Sequence, residues 1–189
     1  MPDAVDIERP RGLVQHLPNV LTTMRLAAVP VFVLLMVQEG GSGLAPFVVF
    51  AAAAFTDFFD GYLARRLNAQ TAYGRVVDPL ADRLLIVSAT TMLAWSDRLP
   101  WWALAVVIWR DVLTAIGFAI VRRRVLPEVN MVGKTATALM MVGIAGLILT
   151  TAGWPLWFFW TGVTLSIVAF VTYFVTYVGT LRQAPDAVT

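Results

Sequence analysis

The chain has 189 residues, 59% of them hydrophobic and only 14% charged, with 14 basic and 12 acidic side chains. Soluble domains average about 45–50% apolar and about 25% charged residues, so a soluble globular domain, a disordered chain and a nucleic-acid binder all fit poorly. With no cysteine and one histidine (His16), thiolate zinc sites, thiol nucleophiles and histidine metal clusters are excluded and Ser-His-Asp catalysis is disfavoured, which leaves carboxylates as the reactive groups of a small integral membrane protein.

A mean hydropathy of +0.75 agrees with a membrane protein, and the pI near 9.4 reflects a net charge of only +2 on a chain poor in titrating groups. Residues 1–18 read as a cytoplasmic tail followed by a short juxtamembrane segment. They hold polar and mixed residues where a cleaved signal would start its apolar stretch. Six apolar segments follow, at Val20–Val37, Leu44–Leu63, Pro79–Trp95, Trp101–Val121, Val132–Ala152 and Pro155–Thr180. Each is near the roughly 20 residues that cross a bilayer. The expected fold is an all-α integral membrane protein, with six transmembrane helices in one bundle over residues 19–181 and a tail at 182–189. Gly133, Ala136, Gly143 and Gly146 in the fifth segment allow close helix approach, within the bundle or at a dimer seam. Trp95, Trp101, Trp102, Trp154 and Trp157 gather at one set of segment ends, as an interfacial aromatic belt would.

Lysine and arginine favour cytoplasmic connections. Arg9, Arg11, Arg65, Arg66, Arg75, Arg122, Arg123, Arg124, Lys134 and Arg182 lie on one side, ten in all, against Arg98 alone on the other. Both termini are therefore expected in the cytoplasm. The Arg122–Arg124 run is equally well a plain anchor on anionic headgroups.

Ionisable residues inside apolar segments are costly and default to functional roles. Asp57 and Asp60 are i,i+3 neighbours late in segment two, and Asp78 and Asp82 are i,i+4 neighbours opening segment three. Each pair shares a helix face. The short connection between the segments brings both pairs to one depth near the cytoplasmic boundary. Four such carboxylates either take up protons or bind hard cations such as Mg²⁺, Mn²⁺ or Ca²⁺. Plainer readings exist for single residues. Asp78 before Pro79 suits a helix N-cap, and Asp82 with Arg83 or Asp111 with Arg110 suit structural ion pairs.

Residues 57–82 read DFFDGYLARRLNAQTAYGRVVDPLAD, which matches D-x2-D-G-x2-A-R-x8-G-x3-D-x3-D at Asp57, Asp60, Gly61, Ala64, Arg65, Gly74, Asp78 and Asp82. Eight fixed positions match by chance on the order of 10⁻¹⁰ per start, at roughly 6% usage per residue type. The stretch resembles the motif of the CDP-alcohol phosphatidyltransferase family, and an N-terminal PN-x2-T-x2-R (Pro18, Asn19, Thr22, Arg25) extends the resemblance. The resemblance implies transfer of a phosphatidyl group from CDP-diacylglycerol to an alcohol, with release of CMP. It implies one Mg²⁺ on Asp57, Asp60 and Asp78 and a second on Asp57, Asp78 and Asp82, with Mn²⁺ as a substitute. Asp82 would also take the acceptor's proton. Asn19, Thr22, Gly61, Ala64, Arg65, Thr71 and Gly74 would line the CDP-lipid. Arg25, Arg110, Arg122 and Lys134 are the candidates for the acceptor side. The resemblance also implies a homodimer, and the arginine count sets the expected active site on the cytoplasmic side of the cell (inner) membrane.

Two branches are similar in the opening LPNVLTTMRLAAVPVF and in GKTAT at 133–137. One is the phosphatidylglycerophosphate synthases, which use glycerol 3-phosphate, and the other is the cardiolipin synthases of this type, which use phosphatidylglycerol. Frequency favours the glycerol 3-phosphate acceptor. The Arg110-Asp111 pair, where the first branch tends to carry Arg-Glu, pulls the other way. A six-helix bundle with buried charges also suits an ion-coupled transporter, although the acidic residues cluster at one face.

Overall fold

A computed structural model describes the backbone of residues 17–67, 74–121 and 131–183, and the side chains within 23–56, 80–117, 131–172 and 174–175. Among the described residues the structure is all-helical. Six helices run in chain order: α1 (Leu17–Gln38), α2 (Leu44–Leu67), α3 (Gly74–Trp95), α4 (Trp101–Val121), α5 (Met131–Leu149) and α6 (Trp154–Gln183). Two stretches, Met131–Leu149 and Trp154–Thr172, are long and apolar enough to cross a membrane.

All six expected segments occur as helices, α4 with the expected bounds and the other five with shifted ends. The largest shift is at α3, which starts at Gly74 rather than Pro79. Proline is a strong start signal, yet here the helix begins five residues before it, at the cost of the bond to the residue four places back and of crowding against that residue's carbonyl. Asp78 consequently lies inside the helix, which corrects the reading of it as an N-cap. α2 runs on to Leu67, so Arg65 sits on its last turn. α6 reaches Gln183, so Arg182 is helical too. α5 stops at Leu149, where Thr150 N–H closes the last helical bond on Gly146 O at 2.9 Å and Ala152 N–H turns to Thr150 Oγ1 at 3.2 Å.

Three of the connections meet at one end of the bundle. Arg98, between α3 and α4, donates through Nη1 to Leu147 O at 2.8 Å and Thr150 O at 3.2 Å, and through Nη2 to Ser42 Oγ at 2.6 Å. Gly43 N–H donates to Ile148 O at 3.0 Å. The C-terminal carbonyls of α5 lack helical donors, and a guanidinium supplies them along with a favourable charge. The cation counted on the minority side is thus a clasp that ties the α1–α2, α3–α4 and α5–α6 connections together. Arg98→Ala is expected to lower stability by about 2–3 kcal/mol, the scale of hydrogen bonds to a charged donor. Thermal unfolding in detergent reads this loss, while turnover per folded molecule stays at the wild-type level.

The core between these helices is apolar. Phe32 of α1 and Phe50 of α2 meet with ring centroids 5.8 Å apart, above Leu85, Leu93, Met140, Ile144 and Phe159, all fully buried or nearly so. α5 and α6 form the most intimate pair. A Cβ at Gly143 would fall 2.5 Å from the backbone N of Phe159, and one at Gly162 would fall 2.5 Å from Met140 N and 2.7 Å from Ala136 O. Neither backbone can yield, so both glycines are required by close helix approach. Gly143 and Gly146 therefore serve packing within the bundle, as a Cβ at Gly146 would also meet Pro155 of α6. Gly133 has open space where its Cβ would be. The five tryptophans expected at one end are all more than half exposed around the Arg98 clasp.

Candidate active site

The clasped end gives a common origin for measuring depth along the helices. Arg25 lies thirteen residues before the end of α1 (38 − 25), Asp57 thirteen after the start of α2 (57 − 44), and Asp82 thirteen before the end of α3 (95 − 82). At 1.5 Å per residue all three stand about 20 Å from the clasp. The Phe32–Phe50 pair gives the same register independently, since Arg25 and Asp57 are each seven residues beyond it (32 − 25 and 57 − 50). Asp60 is sixteen residues along α2 (60 − 44), and Asp78 seventeen from the end of α3 (95 − 78), so the second carboxylate of each helix stands one turn farther out. α1 packs against both α2 and α3, which also touch each other. The backbone thus brings the four aspartates to two adjacent levels on neighbouring helices. The side chains of Asp57, Asp60 and Asp78 lie outside the described residues.

Asp82 is the described member of the set. It is half-buried, with its Oδ1 atom buried. Ala81, Leu85, Ile86, Ala89 and Leu93 mark the inward face of α3, and Asp82 stands one turn before Leu85 and Ile86 on it. This is the helical repeat that faces a core, so a carboxylate there is aimed at the bundle interior. Arg25 occupies the matching stripe of α1 with Phe32 and Met36, and it is only 2% exposed. A guanidinium so deeply buried needs negative charge nearby, and Asp57 and Asp82 stand at its level.

Between one and four residues nearer the clasp than Asp82 (12 for Arg83 and Thr137, 10 for Asp111 and 9 for Arg110, against 13), polar groups link three helices. Arg83 donates from Nη1 to the backbone carbonyl of Asp111 at 2.7 Å, and the same nitrogen is 3.9 Å from Asp111 Oδ1. Arg110 donates from Nη1 to Asp111 Oδ1 at 3.1 Å and from Nη2 to Thr137 Oγ1 at 3.2 Å. The Thr137 hydroxyl in turn donates a hydrogen bond to Gly133 O at 3.1 Å. The Arg110-Asp111 pair expected from sequence is present. The link to Arg83 is a finding of the fold, because nothing in a sequence sets residue 83 beside residue 111.

The remaining candidates divide by position. Gly61, Ala64 and Arg65 lie on the outer turns of α2, and Gly74 begins α3; their side chains are outside those described, as are those of Asn19 and Thr22 in the first turns of α1. Thr22 is sixteen residues from the end of α1 (38 − 22), level with Asp60. Lys134 is exposed in the first turn of α5, fifteen residues from its end (149 − 134). Thr71 and Arg122 lie outside the described residues, as do Arg123 and Arg124. Among the described residues no group of three or more acidic, histidine or cysteine side chains forms a metal site. The donor chemistry nonetheless suits a hard divalent cation, since carboxylates with no soft ligand among them are what such ions take. The buried oxygen of Asp82 on the inward face fits that use.

Comparison with known proteins reads the same segment. Residues 15–175 match the CDP-alcohol phosphatidyltransferase family. The chain is 39% identical over 148 residues to a Mycobacterium tuberculosis protein named "Probable phosphatidylglycerophosphate synthase", covering 76% of this chain and 70% of the relative. It is 38% identical over 146 residues to the cardiolipin synthase (CMP-forming) of Streptomyces coelicolor, covering 73% and 67%. It is 31% identical over 180 residues to the CDP-diacylglycerol–glycerol-3-phosphate 3-phosphatidyltransferase of Bacillus subtilis, covering 84% and 93%. A match of this extent, over helices that set four aspartates at two adjacent levels, makes the chain a member of the CDP-alcohol phosphatidyltransferase family.

Proposed function

We propose that the protein transfers the phosphatidyl group of CDP-diacylglycerol to glycerol 3-phosphate, forming phosphatidylglycerophosphate and releasing CMP. The observation that carries this is the common depth of Asp57 with Asp82 and of Asp60 with Asp78, counted along helices whose connections meet at one end of the bundle. The family uses a divalent metal. Mg²⁺, as two ions shared by the four aspartates, is the finer assignment proposed here. When bound, the metal neutralises the donor's pyrophosphate and the charge that develops on departing CMP. The acceptor oxygen forms a bond to the β-phosphorus as the bond from that phosphorus to the CMP oxygen breaks. Asp82 takes the proton of the acceptor hydroxyl, held in place by its position on the inward face of α3. Gly61, Ala64 and Gly74 let the backbone come close to the nucleotide, and Asn19, Thr22, Arg65 and Thr71 supply polar contacts to it. Arg25, Arg110, Arg122 and Lys134 supply cations toward the phosphate of the acceptor.

In the same reading all six helices span the bilayer, and residues 19–181 act as one domain between two tails. The aspartate levels and both termini face the cytoplasm, in the cell (inner) membrane, and the protein works as a homodimer. The aspartate levels stand about 20–26 Å from the clasp, near the opposite boundary of a hydrocarbon layer of about 30 Å.

A cardiolipin synthase using phosphatidylglycerol is the second reading, favoured by the 38% identity to the Streptomyces coelicolor enzyme. An acceptor screen separates the two. Purified protein in lipid vesicles, given CDP-diacylglycerol and Mg²⁺, is expected to release CMP with glycerol 3-phosphate and not with phosphatidylglycerol, inositol phosphate or serine. Release with phosphatidylglycerol alone reverses the acceptor assignment. No release with any of them overturns both acceptor readings.

A further inference from the structure

We infer that Asp111 is a positioning residue for the Asp82 carboxylate, acting through Arg83, and this inference rests on the transferase reading above. Asp82 and Arg83 are consecutive on α3, so their side chains leave the helix about 100° apart. Asp82 stands on the inward face, while Arg83 reaches α4 and donates to the Asp111 backbone carbonyl at 2.7 Å, with the Asp111 carboxylate 3.9 Å away. Asp111 is itself held, since Arg110 donates to its Oδ1 at 3.1 Å and continues to Thr137 of α5 at 3.2 Å. The Asp111 side chain is 14% exposed and that of Arg110 is 12%, against 37% for Arg83, so the bridge is anchored at its inner end and grips α3 at its outer end.

The consequence concerns rotation. Leu85, Ile86 and Leu93 pack the inward face of α3 on the clasp side of Asp82, and Arg83 adds a polar contact to α4 beside Asp82 itself. That hydrogen bond restrains the turn of α3 about its own axis one residue away from the acting carboxylate. A misplacement of about 1 Å at a reacting group costs about 10²-fold in rate. Asp111 therefore affects the chemical step without touching substrate.

The test measures CMP release by the full-length protein in lipid vesicles, with Mg²⁺, CDP-diacylglycerol and whichever acceptor the wild type accepts. Asp111→Asn keeps an oxygen for Arg110 and loses the charge that faces Arg83. Arg83→Met keeps most of the side-chain volume and loses both contacts. Arg83→Met is expected to lower kcat about 10- to 100-fold, and Asp111→Asn, which leaves the backbone carbonyl to Arg83, to lower it by less, with the KM for CDP-diacylglycerol within about threefold of wild type in both. The double variant should be no more than about threefold below Arg83→Met, since that substitution already removes the whole link. Asp111→Glu should recover part of the loss. Arg98→Ala serves as the control, a comparable clasp removed at the far end, and should lower thermal stability while leaving kcat within about twofold.

If Arg83→Met keeps wild-type kcat, or if the losses multiply in the double variant, the bridge does not position Asp82. A kcat loss of the same size in Arg98→Ala overturns the inference as well, because general loosening would then explain every variant. Should Asp111→Asn fail to fold, Arg83→Met alone decides, since it leaves the Arg110–Asp111–Thr137 contacts whole. A wild type that releases no CMP with any acceptor overturns the transferase reading itself, an outcome distinct from an active wild type with unaffected variants.

Discussion

Asp57→Asn and Asp78→Asn proteins are expected to turn over CDP-diacylglycerol at least about 10³-fold more slowly than wild type, a loss that follows from several kcal/mol of charge stabilisation at about 1.4 kcal/mol per decade. The two positions matter most because the proposed arrangement shares each between both ions. Asparagine matches aspartate in shape and can offer one neutral oxygen, so the helix is left intact and only the charge is removed. Chelation of divalent metal from the wild type should produce the same loss, reversed by adding Mg²⁺ back. Asp82→Asn differs in kind. It should slow the chemical step while donor binding persists, because it removes a proton acceptor that the donor does not need for binding. CMP release under saturating donor measures the first group, and binding of a non-reacting CDP-lipid measures the second. Near-wild-type turnover in Asp57→Asn or Asp78→Asn, or turnover that survives thorough chelation, would overturn the shared-ligand arrangement.

The aspartate pairs were legible in the sequence because spacing along a helix is a local property. Three or four residues return a side chain to the same face whatever surrounds it, and the helices that carry these residues formed as their apolar runs suggested. The start of α3 was read wrongly for a local reason too. Pro79 has the character of a first helical residue, yet Gly74 to Asp78 continue the helix on its near side. What spacing could not give was depth across helices. Asp57 and Asp82 share a level because the α1–α2 and α3–α4 connections lie at the same end of the bundle, which the contacts of Arg98, counted from sequence only as the cation on the minority side, make visible. The contact of Arg83 with Asp111 joins positions 28 apart and depends on the lateral packing of α3 against α4. Gly162 was missed similarly. Its need for a bare Cα comes from Ala136 and Met140 on α5, and no neighbour in its own sequence announces it.

Arg25→Gln is expected to destabilise the protein by about 3–5 kcal/mol, the cost of breaking a buried charge pair by removing one partner. The size follows from burial, because Arg25 is 2% exposed on the inward stripe of α1 and its level is that of Asp57 and Asp82. Carboxylates held together on two helices repel one another, and a guanidinium at their depth offsets that repulsion before any metal arrives. Divalent metal supplies the same compensation. The destabilisation should therefore be largest in chelator and should shrink as Mg²⁺ is raised, whereas in wild type the stability gained on adding Mg²⁺ should be smaller. Arg25→Lys keeps the charge and should recover much of the loss, though less than all of it, since an ammonium cannot span two carboxylates as a planar fork does. Thermal unfolding in detergent, across a series of Mg²⁺ concentrations, reads each of these without requiring turnover. A destabilisation equal in chelator and in saturating Mg²⁺ would show that Arg25 compensates some other group, and no destabilisation at all would show that its burial is matched by solvent or lipid in the membrane. The sign of the metal dependence is what ties α1 to the aspartates of α2 and α3, because a helix that merely packs against them has no reason to respond to a divalent cation.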